Sequence, residues 1–304
     1  MTASTQTLSS RLTALFLGPA DARVYACVRI SFALVSLLNL LQIWPDRDIF
    51  FTDAGMIDQE VVRKYTVGAY LSAFDLCQDI SAVSTYMLFS GCGMLLLLFG
   101  VWPRLAAGIV YVWYVSYSVR APLILVGWDE VLRSTAFLLL ISPMPACWSL
   151  RFRKTRKQSP AATQVPCYGL TLMHMQLAVI YLQTVLARLD SEYWMNGEFM
   201  SFYLLSYNAR WPGLWVLNYG FVLKVVTYLT LLMELLIPVL LMVRRWRWWG
   251  FGMGFLLHAG ISLTSYNLGL FFLAMMTLYL SFLQSEDINW LMHRLPRKTH
   301  QARR

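Results

Sequence analysis

Leu229-Thr-Leu-Leu-Met-Glu-Leu-Leu-Ile-Pro-Val-Leu-Leu-Met-Val243 carries a single charge, Glu234. The stretch does not alternate apolar with polar residues, as a strand of a membrane β-barrel would. Continued upstream to Phe221, it is long enough for a helix to cross the roughly 30 Å hydrocarbon core of a bilayer. Met94–Phe99 reads the same way. Of the 304 residues, 58% are apolar and 13% charged, against roughly a quarter charged in an average soluble domain. That leaves too little polar surface to coat a water-soluble particle, and 15% aromatic content excludes a disordered chain. The expected fold class is all-α: a polytopic membrane helical bundle forming one domain over residues 1–304.

Eight spans are expected: Val24–Trp44, Ser81–Trp102, Leu105 to about Val119, about Val131 to Ser142, Gly169–Leu186, Phe221–Val243, and two within Trp248–Leu283. The last block is too long for one helix, and Asn267–Gly269 supplies turn residues for the break. Pro45–Ile80 and Asp190–Tyr219 are longer than connectors need be. Their acids and aromatics suit amphipathic or re-entrant helices at the outer surface. The first 20 residues lack a signal-peptide pattern, so the first span is expected to serve as an uncleaved anchor.

The net charge of +9 is distributed as topology signal. Arg151–Lys157, Arg244–Arg247 and Arg294–Arg304 flank apolar segments, and one orientation places all three runs with Arg11, Arg23 and Arg104 on the cytoplasmic side. Asp46, Asp48, Asp53, Asp58, Glu60, Asp75, Asp79, Asp190, Glu192 and Glu198 then share the other side. The expectation is a bacterial-type inner (cytoplasmic) membrane protein with both termini cytoplasmic, meeting membrane lipid and no nucleic acid. Five scattered cysteines contain no Cys-x-x-Cys pair, so neither a structural disulfide nor a thiol centre is expected.

Charges within hydrocarbon are costly and ask for a partner or a purpose. Arg29 and Lys224 lie near span ends, where long side chains can snorkel. His174, alone in its helix, reads as a hydrogen-bonded packing residue. Glu234 has no such escape: it must be protonated or paired, with Arg29, Arg133 or His258 as candidate partners. Asp129, Glu130 and Arg133 form the densest cluster, with Asp129 and Arg133 at i,i+4. No metal-ligand spacing, Gly-rich phosphate loop or Gly-x-Ser-x-Gly elbow occurs.

Several stretches carry a family resemblance. They are Arg29-Ile-Ser-Phe-Ala-Leu, Arg133-Ser-Thr-Ala-Phe-Leu-Leu-Leu-Ile-Ser-Pro leading to Trp148-Ser149, Leu189-Asp190-Ser-Glu-Tyr-Trp-Met-Asn-Gly197, Glu234-Leu-Leu-Ile-Pro238 and His258-Ala-Gly-Ile-Ser-Leu-Thr. Over roughly residues 20–285 they resemble the HTTM family, the transmembrane domain shared with vitamin K-dependent γ-glutamyl carboxylase. The resemblance implies an outward-facing intramembrane cavity lined by Arg29, Arg133, Arg188, Glu234 and His258, and a reduced quinone as a cofactor by resemblance only. It also places Ala187-Arg188-Leu189-Asp190 on the family's Lys-Lys-Leu-Asp stretch. Arginine stays protonated, so Arg188 is a poor general base and better suited to holding an anion.

The leading expectation is a carboxylase-like enzyme or maturation factor acting on a secreted peptide or a quinone-type lipid. His258, Glu234 and Arg188 are its candidate catalytic residues, with His258 moving protons, Glu234 orienting it and Arg188 holding an anionic group. Arg29, Arg133, Asp129, Glu130 and Asp190 are candidate substrate-binding residues. The alternative is a non-catalytic membrane partner of a secreted peptide or protein, in an immunity, export or chaperone role.

Overall fold

The computed structural model describes residues 8–56, 58–65, 71–77, 79–145, 147–150 and 164–294. The basic run 151–157, residues 295–304 and the first seven residues lie outside the described residues. In chain order the helices are α1 (Leu8–Leu17), α2 (Ala22–Ile43), α3 (Arg47–Phe51), α4 (Gln59–Tyr65), α5 (Ile80–Phe99), α6 (Pro103–Arg120), α7 (Gly127–Ile141), α8 (Tyr168–Leu189), α9 (Glu192–Met195), α10 (Phe199–Leu205), α11 (Gly220–Met242), α12 (Arg247–Thr264), α13 (Gly269–Tyr279) and α14 (Ser285–Arg294). The described residues are mostly helical, and each of the eight expected segments overlaps a helix.

Four stretches among the described residues are long and apolar enough to cross a membrane: Ala22–Phe51, Ile80–Phe99, Tyr168–Leu189 and Leu214–Met242. A fifth, Gly269–Phe282 with Ser285–Arg294, qualifies only as a pair and is bent by 109°. α7 and α13 are only 15 and 11 residues long, about 22 and 16 Å at 1.5 Å per residue.

At one end of the bundle Arg23, Arg244 and Arg247 all meet α14, the first at Asn289 and the others at Glu286 and Asp287; beyond the far end of α2, Asp53 pairs with Arg120. At the basic end a short antiparallel pair, β1 (Pro19–Asp21) with β2 (Gln164–Pro166), ties the entrance of α2 to that of α8. Asp21 caps α2 and grips Arg23, whose guanidinium reaches Asn289 of α14 at 2.8 Å. Burial pushes the Asp21 carboxyl up, but its hydrogen bonds and charge contact with Arg23 outweigh burial and hold it below its ordinary value.

At the acidic end the segment after α2 folds back over α5 and α6. Phe51 stacks on Phe74 at 4.6 Å between centroids, and both rings meet Trp113 of α6. The Ser116 hydroxyl accepts the Ala73 N–H at 2.9 Å, fixing the 73–76 turn. The expected break at 267–269 is present: Asn267 takes φ 60°, the left-handed region that Asn tolerates. α2 is the central helix, with Val28, Phe32 and Ala33 fully buried. Leu182, Leu235 and Val239 instead face outward and are about half-exposed. Outward-facing apolar residues suit a lipid solvent and would be costly in water.

Candidate functional site

The polar groups that hydrocarbon should penalise most meet between α8, α11, α12 and α13. Arg188, in the last turn of α8, forms an ion pair with Glu234 of α11. The Arg188 guanidinium also lies 4.1 Å over the ring of Trp194, which stacks on Phe199. Arg188 is thus held on one side by a carboxylate and on another by an aromatic face.

One layer deeper, the Tyr181 hydroxyl of α8 lies 2.8 Å from His258 Nε2 of α12 and also bonds the Tyr279 hydroxyl of α13. His258 Nδ1 is buried and has no partner. His258 is 3% exposed, Tyr181 3% and Glu234 4%. A crevice of about 230 Å³ opens between α8 and α11, lined by Tyr181, Leu182, Val185, Glu234, Leu235 and Pro238 among others. Pro238 has no N–H, so the Glu234 backbone carbonyl four residues earlier loses its helical donor. The crevice is lined mostly by apolar side chains, with Glu234 and Tyr181 as its polar members.

The other candidates lie elsewhere. Arg29 is 2% exposed, and its guanidinium donates to the carbonyls of Leu97 (2.7 Å), Leu98, Cys147 and Trp148 (3.1 Å). Those carbonyls are at the basic end, where α5 terminates in Gly100 at φ 66°. The cation thus satisfies orphan helix-end carbonyls and sits far along the bundle from Arg188. Arg133 pairs with Glu130 at the helix surface, in place of the i,i+4 pairing with Asp129 that the spacing suggested. Asp129 turns inward and caps its own helix by accepting the Val126 N–H at 2.9 Å. Asp190 is the exposed C-cap of α8. Glu234 finds its cation in Arg188, not in Arg29 or Arg133, and His258 faces Tyr181, not Glu234. His174 Nε2 meets the Ser281 carbonyl at 3.0 Å, and its ring stacks on Phe282. Among the described residues no three His, Cys, Asp or Glu side chains gather where they could hold a metal.

A family model for the HTTM domain matches residues 18–290. The chain belongs to the HTTM family. It is also similar to the uncharacterized protein YitO of Bacillus subtilis (strain 168), 27% identical over 179 residues. That match covers 57% of this HTTM chain and 55% of YitO, so it spans about half of the relative's length. No solved structure matches.

Three site residues of this HTTM chain escape a search for charges. Tyr181, Tyr279 and Trp194 are uncharged aromatics within largely apolar segments, where a ring costs little to bury. Their signal lies in the hydroxyl or cation-facing ring, which sequence shows only once the helix pairing is known. Arg120 is a further buried cation, 3% exposed and bonded to the Thr52 carbonyl at 2.9 Å and to Asp53. It anchors the acidic-end fold and lies apart from the crevice.

Proposed function

We propose that this HTTM chain is an inner-membrane protein that binds an isoprenoid-like lipid with an oxygen-bearing head, of quinone type, and handles a proton on that head. The observation that carries this reading is the lateral crevice between α8 and α11, which leads from the lipid-facing surface to Glu234 and Tyr181. An apolar tail can lie along Leu182, Val185 and Leu235 while the head reaches the polar floor. With the head in its reduced, quinol form, Tyr181 takes a proton from a quinol hydroxyl as it passes its own to His258 Nε2, with Tyr279 fixing the phenol. The base that the family resemblance would place at Arg188 is replaced by a cation already neutralised by Glu234. Proton transfer therefore rests on His258 and Tyr181, and Arg188 with Glu234 shapes the floor. Carboxylation is not needed for this reading.

The basic runs support eight crossings with both termini cytoplasmic, and the short helices α3, α4, α9 and α10 would lie along the outer surface. A photo-crosslinking residue placed at Leu182 tests lipid entry, with one at Leu256 on the exposed face of α12 as control. Covalent attachment of an isoprenoid quinone at Leu182 well above that at Leu256 is expected. Equal labelling at both would mean general lipid contact and would remove the site.

The second reading, a non-catalytic partner of a secreted peptide, has one observation in its favour. Tyr207, Trp211, Leu214, Leu217 and Phe221 form a strongly exposed apolar ledge beyond α10. Replacing Tyr207 and Trp211 by Ser should leave crosslinking at Leu182 intact if the crevice is the working site.

A further inference from the structure

The helices α9 and α10 and the start of α11 border a second cavity, of about 440 Å³, which shares no lining residue with the crevice. That volume falls within the roughly 300–1,000 Å³ of small-ligand sites. Lys224 of α11 and Glu198, at the N-cap of α10, line it together with Ser201, Gly197, Tyr193 and Phe202. The Tyr193 and Phe202 rings stack at 4.9 Å between centroids and form an aromatic wall. Two hydrogen bonds tie the frame to α11: the Tyr228 hydroxyl donates to the Met195 carbonyl at 2.8 Å, and the Thr227 hydroxyl accepts the Met200 N–H at 3.2 Å. Gly197 takes φ 76°, and an added Cβ there would run into Lys224 Cγ. The lysine stem thus lies against bare backbone, which only glycine provides. Among the described residues neither the Lys224 ammonium nor the Glu198 carboxylate has an ion-pair partner, although one cavity carries both.

A cation and an anion that line one cavity without pairing match a ligand that bears both signs. Depth decides its kind. Lys224 is four residues into α11, about 6 Å along the axis from Gly220. Phe221, Val222 and Val225 beside it are exposed apolar residues of a stretch long enough to span a membrane. Such a surface belongs in lipid, so the cavity borders the bilayer at headgroup depth. There a phosphate meets the lysine ammonium, and a primary ammonium donates charge-assisted hydrogen bonds to Glu198. A choline head has no N–H to donate, and a phosphoglycerol head brings no positive charge to the carboxylate. We propose that this cavity holds the phosphoethanolamine head of a membrane phospholipid. Its phosphate sits on Lys224, its ammonium on Glu198, and the Tyr193–Phe202 wall closes one side.

The test is thermal unfolding of the purified full chain in detergent, titrated separately with phosphatidylethanolamine, phosphatidylcholine and phosphatidylglycerol of identical acyl chains. Phosphatidylethanolamine is expected to raise the melting temperature saturably and at a several-fold lower concentration than the other two. Lys224→Gln and Glu198→Gln should each raise its half-saturating concentration several-fold. Both side chains are exposed, and unfolding without lipid checks that each variant is folded; should Lys224→Gln fail to fold, Glu198→Gln decides alone. Equal responses to the three lipids, or an ethanolamine response unchanged in a folded variant, would overturn the site. So would an equal rise with soluble O-phosphoethanolamine at the same concentrations, which would assign the cavity to a free solute and not to a lipid.

Discussion

Glu234 is the carboxylate that the apolar run of α11 buries. It is nearly buried, and Arg188 is its counter-charge. Removing one partner of such a pair strands the other in a poorly solvated setting. Glu234→Ala should cost about 3 kcal/mol or more of stability, and the double variant with Arg188→Ala should recover part of it. Chemical unfolding of the purified variants measures both, and additive losses would mean the two groups act independently. Tyr181→Phe is subtler. It leaves the His258 ring with neither nitrogen bonded and separates His258 from Tyr279, at a cost of about 1–3 kcal/mol. The crevice keeps its shape in this variant, so lipid crosslinking at Leu182 should persist while proton-dependent chemistry is lost. At this scale the sequence already marked Glu234, His258 and Arg188, because a charge or an imidazole in an apolar run is visible without a structure. Their partners were not visible. Glu234 is read as seeking Arg29 or Arg133 until α8 is known to lie against α11, and no periodicity within α11 specifies its neighbour.

Among the elements, α12 and α13 show how the site is held. Gly254 sits where an added Cβ would meet the Tyr279 ring, so the missing side chain is what lets Tyr279 reach Tyr181. Gly254→Leu should push that ring aside and lower the melting temperature, with disruption of the Tyr181–His258 contact visible in a structure of the variant. Gly254→Leu without loss of stability would show that the two helices can part freely. The helices themselves were legible, since long apolar runs and the turn residues at 267–269 mark their extents. Which of them cross was less so. α7 and α13 are short, and their place in the bundle comes from burial against α2, which composition does not reveal. The folded-back outer segments were expected as amphipathic or re-entrant helices. The aromatic stack of Phe51, Phe74 and Trp113 that seats one of them depends on contacts between residues remote in sequence.

For the whole molecule, charge asymmetry makes two claims that can be checked. Cys77 lies near the acidic end and Cys147 at the basic end, both half-buried. A membrane-impermeant thiol reagent should label Cys77 in intact cells and Cys147 only after permeabilisation. The reverse pattern would invert the topology. The basic-end clamp has a pH signature. Arg23 holds the Asp21 carboxyl below its ordinary value, so the clamp contributes stability above the ordinary carboxylate range, near pH 4. That contribution is lost as pH falls through the lowered value. Unfolding across that window should show an acid-side loss that Asp21→Asn lacks.

On the proposed function, a lipid enters between α8 and α11 and is held above Tyr181 and Glu234. Native mass spectrometry of the purified chain, compared with Leu182→Trp in which an indole fills the crevice, tests it most directly. A bound quinone-type lipid in the wild-type spectrum and its loss in Leu182→Trp, with stability preserved, is the predicted result. Equal retention by both proteins, or no such lipid on the wild-type chain purified from quinone-containing membranes, would contradict it.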